Sequence, residues 1–505
     1  MKKISSFVIY TALTVVLMVL SWTLYANIFE SRPMWGFDYP YFDKENRIVP
    51  ILSVLFVILY FILISVIYKL IAKKDLVKRN KIISLIGASF CLLTVLLIPV
   101  APYADQAAIV GIANNIISGN FIDFAKYEYL NLYPFNTGYV IFCLPFALIN
   151  QLTGINAGVF IKLSNIVFTV FTGYYLSKIF EVFFKNKKEY TTLLLLLYFS
   201  SISIITMNNL VYGDIPAIFF FVLSIYWFVK ESNNKSKDYI ISFALCAVGN
   251  IFRNIGLILF IALGIHILNT SKLKWKHIGL SIASFFIVYF AFSGLQSLLF
   301  NRPFPYGSDG LPVFSWIQIG LTGEVGYWTG YEILDIFKND NLSSQEKTQM
   351  YIDNINVLLE NMGFEGFIEL LGRKMHYLFG EGTYQIVLYG LGEEETGLYN
   401  GIGAWFYPTF ITELLKNGST LKNNLVDYAY TMNMFMMGLS IVSIIKNIKK
   451  KNVMITFFAG LIAFYCLWEI KARYIFSLLP IYIFLVSDVL SSLLNIKLFN
   501  KKAIV

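Results

Sequence analysis

A small set of ionisable residues lies at the ends of long apolar segments, in four separate connections along the chain. An ionisable group next to lipid is costly unless it faces water, a partner or a substrate. Carboxylates in such places can activate or position a nucleophile, and arginine can clamp a phosphate. The pattern therefore predicts an acid/base and anion-binding site on one face of the molecule. Its residues are Asp105, Asp214, Arg253, Glu469, Lys471 and Arg473.

Each of these residues also has a purely structural interpretation. Asp105 and Asp214 could be N-caps of the helices that follow them. Arg253 could extend to lipid head groups. The three charged residues of the last connection could simply pair with one another. Their common placement on one face is what favours a functional site.

The elements that position these residues follow from composition. The 505 residues are 57% hydrophobic and only 14% charged, which is too apolar for a soluble surface. Uncharged stretches such as 51–68 and 190–207 are long enough to cross a bilayer. We predict an all-α polytopic membrane protein with about 13 or 14 transmembrane helices. The first apolar segment, 7–25, is interpreted as a span and not as a cleaved signal peptide.

The net charge of +9 comes from short runs of Lys and Arg between the spans. Such runs set the orientation of a membrane protein, so we expect no nucleic-acid partner. They predict a multi-pass protein of the cell (plasma) membrane with both termini cytoplasmic and the active site extracytoplasmic. The Lys-, Asn- and Ile-rich composition is typical of an AT-rich genome and favours a Gram-positive cell membrane.

Four regions are expected along the chain: two N-terminal spans (1–82), a transmembrane core (83–299), an extracytoplasmic subdomain (300–427) and C-terminal spans (428–505). The core contains the first large outer loop, 102–134, whose helical spacing of apolar residues predicts an amphipathic surface helix.

The topology of the core has one ambiguity. The charge runs require an odd number of crossings between Pro134 and Lys185, but two apolar segments, 136–153 and 158–183, are visible. Either the second divides at Gly173, or one element is interfacial or re-entrant.

Other motifs are weak. The four cysteines lie singly within apolar segments and the three histidines are scattered, so neither a disulfide framework nor a metal site is indicated. No nucleotide-binding glycine motif is present in the sequence.

Five short motifs together resemble the GT-C superfamily of polyprenyl-phosphate-sugar-dependent glycosyltransferases, in particular its protein O-mannosyltransferase and aminoarabinose transferase group. The motifs are YADQAAIVGIANNIISGNF, YEYLNLYPFNTGYVIF, NNLVYGDIPA, FRNIGLI and EIKARYIFSLLPIYIF. The resemblance covers residues 83–495. It implies transfer of a sugar, with inversion, from a polyprenyl-phosphate donor to a cell-envelope acceptor such as a teichoic acid, a wall polysaccharide, a lipid or a protein.

The resemblance also implies roles for individual residues. Asp105 would be the general base and Asp214 would position the acceptor or the base. The donor phosphate would be bound by Arg253, Arg473 and Lys471. The remaining substrate-binding candidates are Tyr133, Asn136, Gln106, Glu469 and Tyr474, and the outer segment adds Arg373, Lys374 and Glu381 as minor candidates.

Two features depart from the family pattern. Gln106 follows Asp105 where many relatives have a second acid, so we expect catalysis without a metal or other cofactor. Two additional spans precede Asp105, where the usual pattern has one span before the catalytic loop. The alternative functions are a lipid-linked oligosaccharide flippase or transporter, or an envelope polysaccharide polymerase or ligase. A flippase would need charged or broken helices near the membrane midplane, whereas here the charges lie at one end of the spans.

Overall fold

The computed structural model describes most of the chain, and the account below is confined to those residues. They are 2–35, 40–44, 50–98, 100–270, 274–300, 310–328, 331–392, 410–416, 418–450 and 452–495. The start of the outer segment, NRPFPYGSD, lies outside them.

The N-terminal part contains three long helices and a small hairpin. The helices are α1 (Lys2–Phe29), α2 (Ile51–Ile71) and α3 (Leu76–Leu97), and the antiparallel strands are β1 (Arg32–Trp35) and β2 (Pro40–Asp43), with Arg32 opposite Asp43. Asp75 caps α3 by accepting a hydrogen bond from the Lys78 amide at 2.9 Å.

The first loop on the side of Asp105 is mostly helical. It contains α4 (Asp105–Ile117), α5 (Tyr129–Leu132) and α6 (Thr137–Thr153), with single 3₁₀ turns at Ile122–Phe124 and Pro134–Asn136. Helix α4 ends before Gly119, whose φ of 78° is left-handed, so the amphipathic helix expected in this loop is present. Helix α6 ends in the same way at Gly154, with φ of 76°.

Seven helices follow α6 along the chain. They are α7 (Ala157–Phe183), α8 (Thr191–Ser200), α9 (Ile202–Thr206), α10 (Asp214–Val229), α11 (Lys235–Phe252), α12 (Gly256–Thr270) and α13 (Lys274–Phe300), with 3₁₀ segments at Lys185–Tyr190 and Met207–Asn209.

The outer segment and the C-terminus complete the fold. The outer segment contains α14 (Val313–Leu321), α15 (Tyr331–Lys338), α16 (Ser344–Gly380), α17 (Ile386–Tyr389) and α18 (Phe410–Leu414). A capping box of Ser343 and Glu346 starts α16, and Gly363 kinks it with φ of 62°. The C-terminal elements are α19 (Thr420–Lys446), α20 (Val453–Leu467), the 3₁₀ segment Ala472–Leu478 and α21 (Leu479–Asn495).

The described residues form an all-α polytopic membrane protein. Eight of their helices are long and apolar enough to cross a membrane, or up to ten if each of two bent pairs is one span, and three shorter apolar helices accompany them. The 13 or 14 spans expected from the sequence count every apolar segment, α6 included.

Contacts at both ends of α6 show that it does not cross the bundle. Asn136, at its start, contacts the phenols beside Asp105 (below). Its end is joined to α7 by a short loop, and α7 begins on that same side, because a Cβ on Gly158 would lie 3.7 Å from Pro102 and the Lys162 ammonium donates to the Val100 carbonyl. Helix α6 is therefore the interfacial element, which resolves the ambiguity between residues 134 and 185.

The opposite ends of the helices meet around one buried carboxylate. The Lys187 ammonium lies 2.6 Å from Asp488, and Lys446 lies 3.6 Å from it. Lys450 lies over the ring of Phe184 at 4.2 Å. This lysine-rich surface is on the side of the bundle away from Asp105.

Candidate functional site

Asp105 is the first residue of α4 and remains partly exposed. The N-cap is Ala104, whose φ of 46° is left-handed for a residue with a side chain, and no side chain caps this helix. The capping interpretation of Asp105 is therefore wrong. Its carboxylate interacts instead with the phenols of Tyr129 and Tyr133.

Asp214 is the first residue of α10 and is 5% exposed. Its helix is capped by Gly213, and its Oδ1 lies 3.5 Å from Nε of Arg253, so the capping interpretation fails here as well. Arg253 follows α11 and faces the rings of Tyr212 and Tyr474 at 5.4 and 5.0 Å. The guanidinium is thus directed into the protein and not toward lipid head groups.

Glu469 and Lys471 form a second pair, with Oε1 and Nζ 3.7 Å apart. Tyr474 donates a hydrogen bond to the same carboxylate oxygen at 3.3 Å. Burial raises the pKa of Glu469, and Lys471 opposes that rise. Part of the mutual-pairing interpretation is therefore correct, but it covers two of the three charged residues of this connection.

Arg473 is the third of them and is only 2% exposed. Its guanidinium lies 4.5 Å from the ring of Tyr212 and 4.6 Å from that of Tyr389, with Tyr474 further away at 5.9 Å. Its Nε is buried without a hydrogen-bond partner, and no carboxylate of the described residues lies within 4 Å of it. The site therefore contains a buried cation whose charge is not balanced by a direct partner.

Tyr212 joins the two halves of this arrangement. Its ring faces both guanidinium groups, and its phenol interacts electrostatically with Asp105. Burial raises the pKa of Tyr212 to about 12, with Asp105 adding to the rise and Arg253 and Arg473 opposing it. The phenol is therefore protonated at neutral pH.

Two amides that were predicted to bind substrate hold the loops together. The Oε1 of Gln106 accepts a hydrogen bond from the Val211 amide at 2.7 Å, which ties the start of α4 to the loop before Asp214. The Oδ1 of Asn136 accepts from the Tyr212 hydroxyl at 2.8 Å, and its Nδ2 donates to the Tyr129 oxygen at 2.8 Å. The side chain of Asn136 thus has protein partners at both of its polar atoms.

Glycine allows the same loops to approach each other closely. A Cβ on Gly138 would lie 2.2 Å from the Ile251 carbonyl oxygen, and one on Gly213 would lie 2.4 Å from that of Phe252. These contacts place the starts of α6 and α10 directly against the end of α11, and hence against Arg253.

The outer helices pack over the last connection. Tyr133 belongs to an aromatic cluster with Trp316 and Trp328, whose ring centroids lie 6.1 and 6.2 Å away. Lys374 is fully buried and donates to the carbonyls of Gly320 and Trp468 at 2.5 and 2.8 Å. Lys374 therefore attaches the outer subdomain to the loop that carries Glu469.

The two other minor candidates in α16 and its end also have local partners. Arg373 pairs at 3.4 Å with Glu369 on an exposed face. Glu381 accepts hydrogen bonds from the Thr383 and Tyr384 amides at 3.0 and 2.8 Å and so caps the following turn. Neither residue contacts the cations of the site.

Sequence reasoning named Tyr474 but missed Tyr212 and Tyr389, which also lie against the cations. Tyr212 lies two residues before Asp214 in a motif already selected, so its position was a usable signal. Tyr389 comes from the turn after α16, and nothing in its sequence neighbourhood indicates that it lies over Arg473.

The described part of the chain contains no cluster of side chains that could hold a metal ion. No three side chains of His, Cys, Asp or Glu come together there. The expectation of metal-independent catalysis stays a prediction.

Comparisons with known proteins assign no family. No family model and no curated protein matches the chain. It is similar to two solved structures of an oligosaccharyltransferase from Archaeoglobus fulgidus, one of AglB in complex with an inhibitory peptide and a dolichol-phosphate and one in the apo form, at 14% identity and TM-scores of 0.39 and 0.41. The alignments cover 82% of this chain and 50% of theirs. This likeness is too low to assign a family or function.

Proposed function

We propose that this protein is a membrane glycosyltransferase that moves a sugar from a polyprenyl-phosphate donor to a hydroxyl group of a cell-envelope acceptor, with inversion. The observation that carries the proposal is Arg473, a buried guanidinium that forms no ion pair with any described carboxylate. Its guanidinium lies against the rings of Tyr212 and Tyr389, on the same side of the membrane bundle as the partly exposed carboxylate of Asp105.

Two charged groups of the site, Arg473 and Asp105, have no ion-pair partner among the described residues. Arg253 is paired with Asp214, and Lys471 with Glu469, so Arg473 is the cation left over in this cluster. An uncompensated charge in a buried place is costly, and a ligand of opposite charge relieves that cost. A phosphodiester between a lipid and a sugar carries one negative charge and accepts hydrogen bonds from a guanidinium.

The reaction then needs a base on the acceptor side. Asp105 takes the proton of the acceptor hydroxyl as that oxygen attacks the anomeric carbon, and the bond from this carbon to the phosphate oxygen breaks. Polyprenyl phosphate leaves with the bonding electron pair, next to Arg473. One displacement on the face opposite the leaving group inverts the anomeric centre.

An apolar cleft between the helices offers space for the lipid tail. It is lined by Tyr60 of α2, Leu197 of α8 and Met432 and Met436 of α19, among others. Gly382 lies at its wall, within the turn that leads to Tyr389 and thus to Arg473.

The side and the acceptor are part of the same proposal. The lysine cluster around Asp488 is typical of a cytoplasmic surface, which supports the proposal that Asp105 faces the extracytoplasmic side of a plasma membrane. Teichoic acids, wall polysaccharides, lipids and proteins of a Gram-positive envelope are the acceptor classes that this location exposes.

The experiment supplies purified protein in lipid nanodiscs with a panel of polyprenyl-monophosphate sugars and, in parallel, their polyprenyl-diphosphate counterparts. Release of the lipid phosphate and transfer to envelope fractions are measured. We expect turnover of at least one monophosphate donor and its loss in Asp105→Asn. Absence of turnover for the whole panel in folded protein, or use of diphosphate donors alone, would contradict the proposal.

A further inference from the structure

Two hydrogen bonds lead from the anion side of the site to Tyr129, whose phenol lies beside the candidate base. The Tyr212 hydroxyl donates to Oδ1 of Asn136, and Nδ2 of Asn136 donates to the Tyr129 oxygen, both at 2.8 Å. Tyr129 in turn interacts directly with Asp105. Tyr212, the donor of the first bond, lies against the guanidinium of Arg473.

The chemistry of the amide gives these bonds one direction. An asparagine side chain accepts at its oxygen and donates at its nitrogen. Because the Tyr129 oxygen already accepts from Asn136, its own hydrogen is left for Asp105. Tyr212 is protonated at neutral pH, as its raised pKa requires, so it can act as the first donor. Asn136 and Tyr212 are 5% and 3% exposed, so water competes little for these bonds.

We infer that Tyr129 is a positioning residue for the proposed base: it donates to one oxygen of Asp105 and leaves the other oxygen free for the acceptor hydroxyl, while Asn136 and Tyr212 set the direction of its hydrogen. This inference rests on the proposed function. A bond from a neutral donor also favours the ionised carboxylate, which is the form that acts as a base.

Other groups face Asp105 from the elements around it. They are Tyr133 from the end of α5, Tyr212 from the loop before α10, and Glu469 from the last connection. Glu469 disfavours a second negative charge nearby, but Lys471 lies 3.7 Å from it and offsets that effect. Of these neighbours, Tyr129 is the one whose hydroxyl hydrogen is directed toward Asp105, because its oxygen already accepts a hydrogen bond from Asn136.

The test compares two substitutions that act on the same hydrogen bond from different ends. Tyr129→Phe removes the donor. Asn136→Asp keeps nearly the same shape but replaces the amide nitrogen by an acceptor, so the hydrogen of Tyr129 turns away from Asp105. Tyr139→Phe is the matched control, because its hydroxyl is buried without a partner in the described structure and its ring lies 6.0 Å from that of Tyr212.

We expect both substitutions to lower kcat about 10-fold or more and to move the acid limb of the pH profile of kcat to higher pH by about one unit, with the donor KM unchanged. The double variant should lose no more than either single one, because both remove one interaction. Tyr139→Phe should keep the wild-type profile.

An unchanged pH profile in Tyr129→Phe, or independent losses in the double variant, would overturn the inference. If Tyr129→Phe does not fold, Asn136→Leu decides in its place, since it removes the amide that directs the hydrogen of Tyr129 without adding a charge beside Asp105. The proposed function fails separately: it is contradicted if the wild type transfers no sugar or if Asp105→Asn stays active, whatever Tyr129→Phe does.

Discussion

Replacing Arg473 by methionine should lower the activity and raise the stability of the protein at the same time. The guanidinium is 2% exposed, its Nε has no hydrogen-bond partner among the described residues, and its described contacts are tyrosine rings. Removing a buried charge that lacks a direct partner relieves its desolvation cost, so the substitution should be neutral or stabilising. Removing the cation that binds the leaving phosphate costs about 1.5–3 kcal/mol for each charged hydrogen bond, or about 10- to 150-fold in donor affinity.

Arg253→Met is the matched control for the effect of Arg473→Met on the unfolding temperature. Arg253 lies 3.5 Å from Asp214, so its removal leaves a carboxylate that is 5% exposed without its cation. Breaking a buried pair in this way costs about 3–5 kcal/mol. The two substitutions should therefore shift the unfolding temperature in opposite directions.

The assay measures thermal unfolding in detergent without substrate, and then the KM for the polyprenyl-phosphate donor. Arg473→Met should unfold at the wild-type temperature or above it, with a raised KM. If Arg473→Met is destabilised as strongly as Arg253→Met and keeps the wild-type KM, Arg473 is a structural residue and the charge argument is refuted.

Three further outcomes are expected. Asp105→Asn should lower kcat by about 10²- to 10⁴-fold, with insertion and folding unchanged. Asp123→Asn in the same loop should retain activity. Equal losses of the two variants in a transfer assay would count against Asp105 as the base. Burial lowers the pKa of Lys374 to about 7. The unfolded chain therefore binds more protons than the folded protein between about pH 7 and 10, so the free energy of unfolding should rise with pH in that window. Melting curves of Lys374→Met should show a weaker rise. Gly213→Ala should lower the free energy of unfolding by about 1–3 kcal/mol, and the activity with it, because its Cβ meets the Phe252 carbonyl. Gly111→Ala, whose Cβ has open space, should match the wild type in both assays.

The class of the protein was accessible from sequence because long uncharged segments have few alternatives to spanning helices. The placement of charges at span ends was equally visible, and the structure brings Asp214, Arg253 and Arg473 around Tyr212. That Asp105 and Asp214 begin their helices without capping them was not visible, because a helix start and an N-cap differ by one residue.

Three features needed the structure. Helix α6 is as apolar as a span, and only contacts of Asn136 and Gly158 show that both of its ends lie on one side. The spacing of Glu469, Lys471 and Arg473 does not say which of the cations is paired. The contribution of Tyr389 depends on how the turn after α16 packs, which local sequence does not encode.

The division of charges within the site also matters during synthesis. Asp214 and Arg253 leave the ribosome together, whereas Arg473 follows Arg253 by 220 positions. At about 5–20 residues per second this interval lasts roughly 10–40 s. In that time the early helices already contain a matched pair of charges, so they can associate in the membrane without an uncompensated ion. Arg473 arrives later, with Tyr474 directly after it, when Tyr212 and Tyr389 are already in the chain.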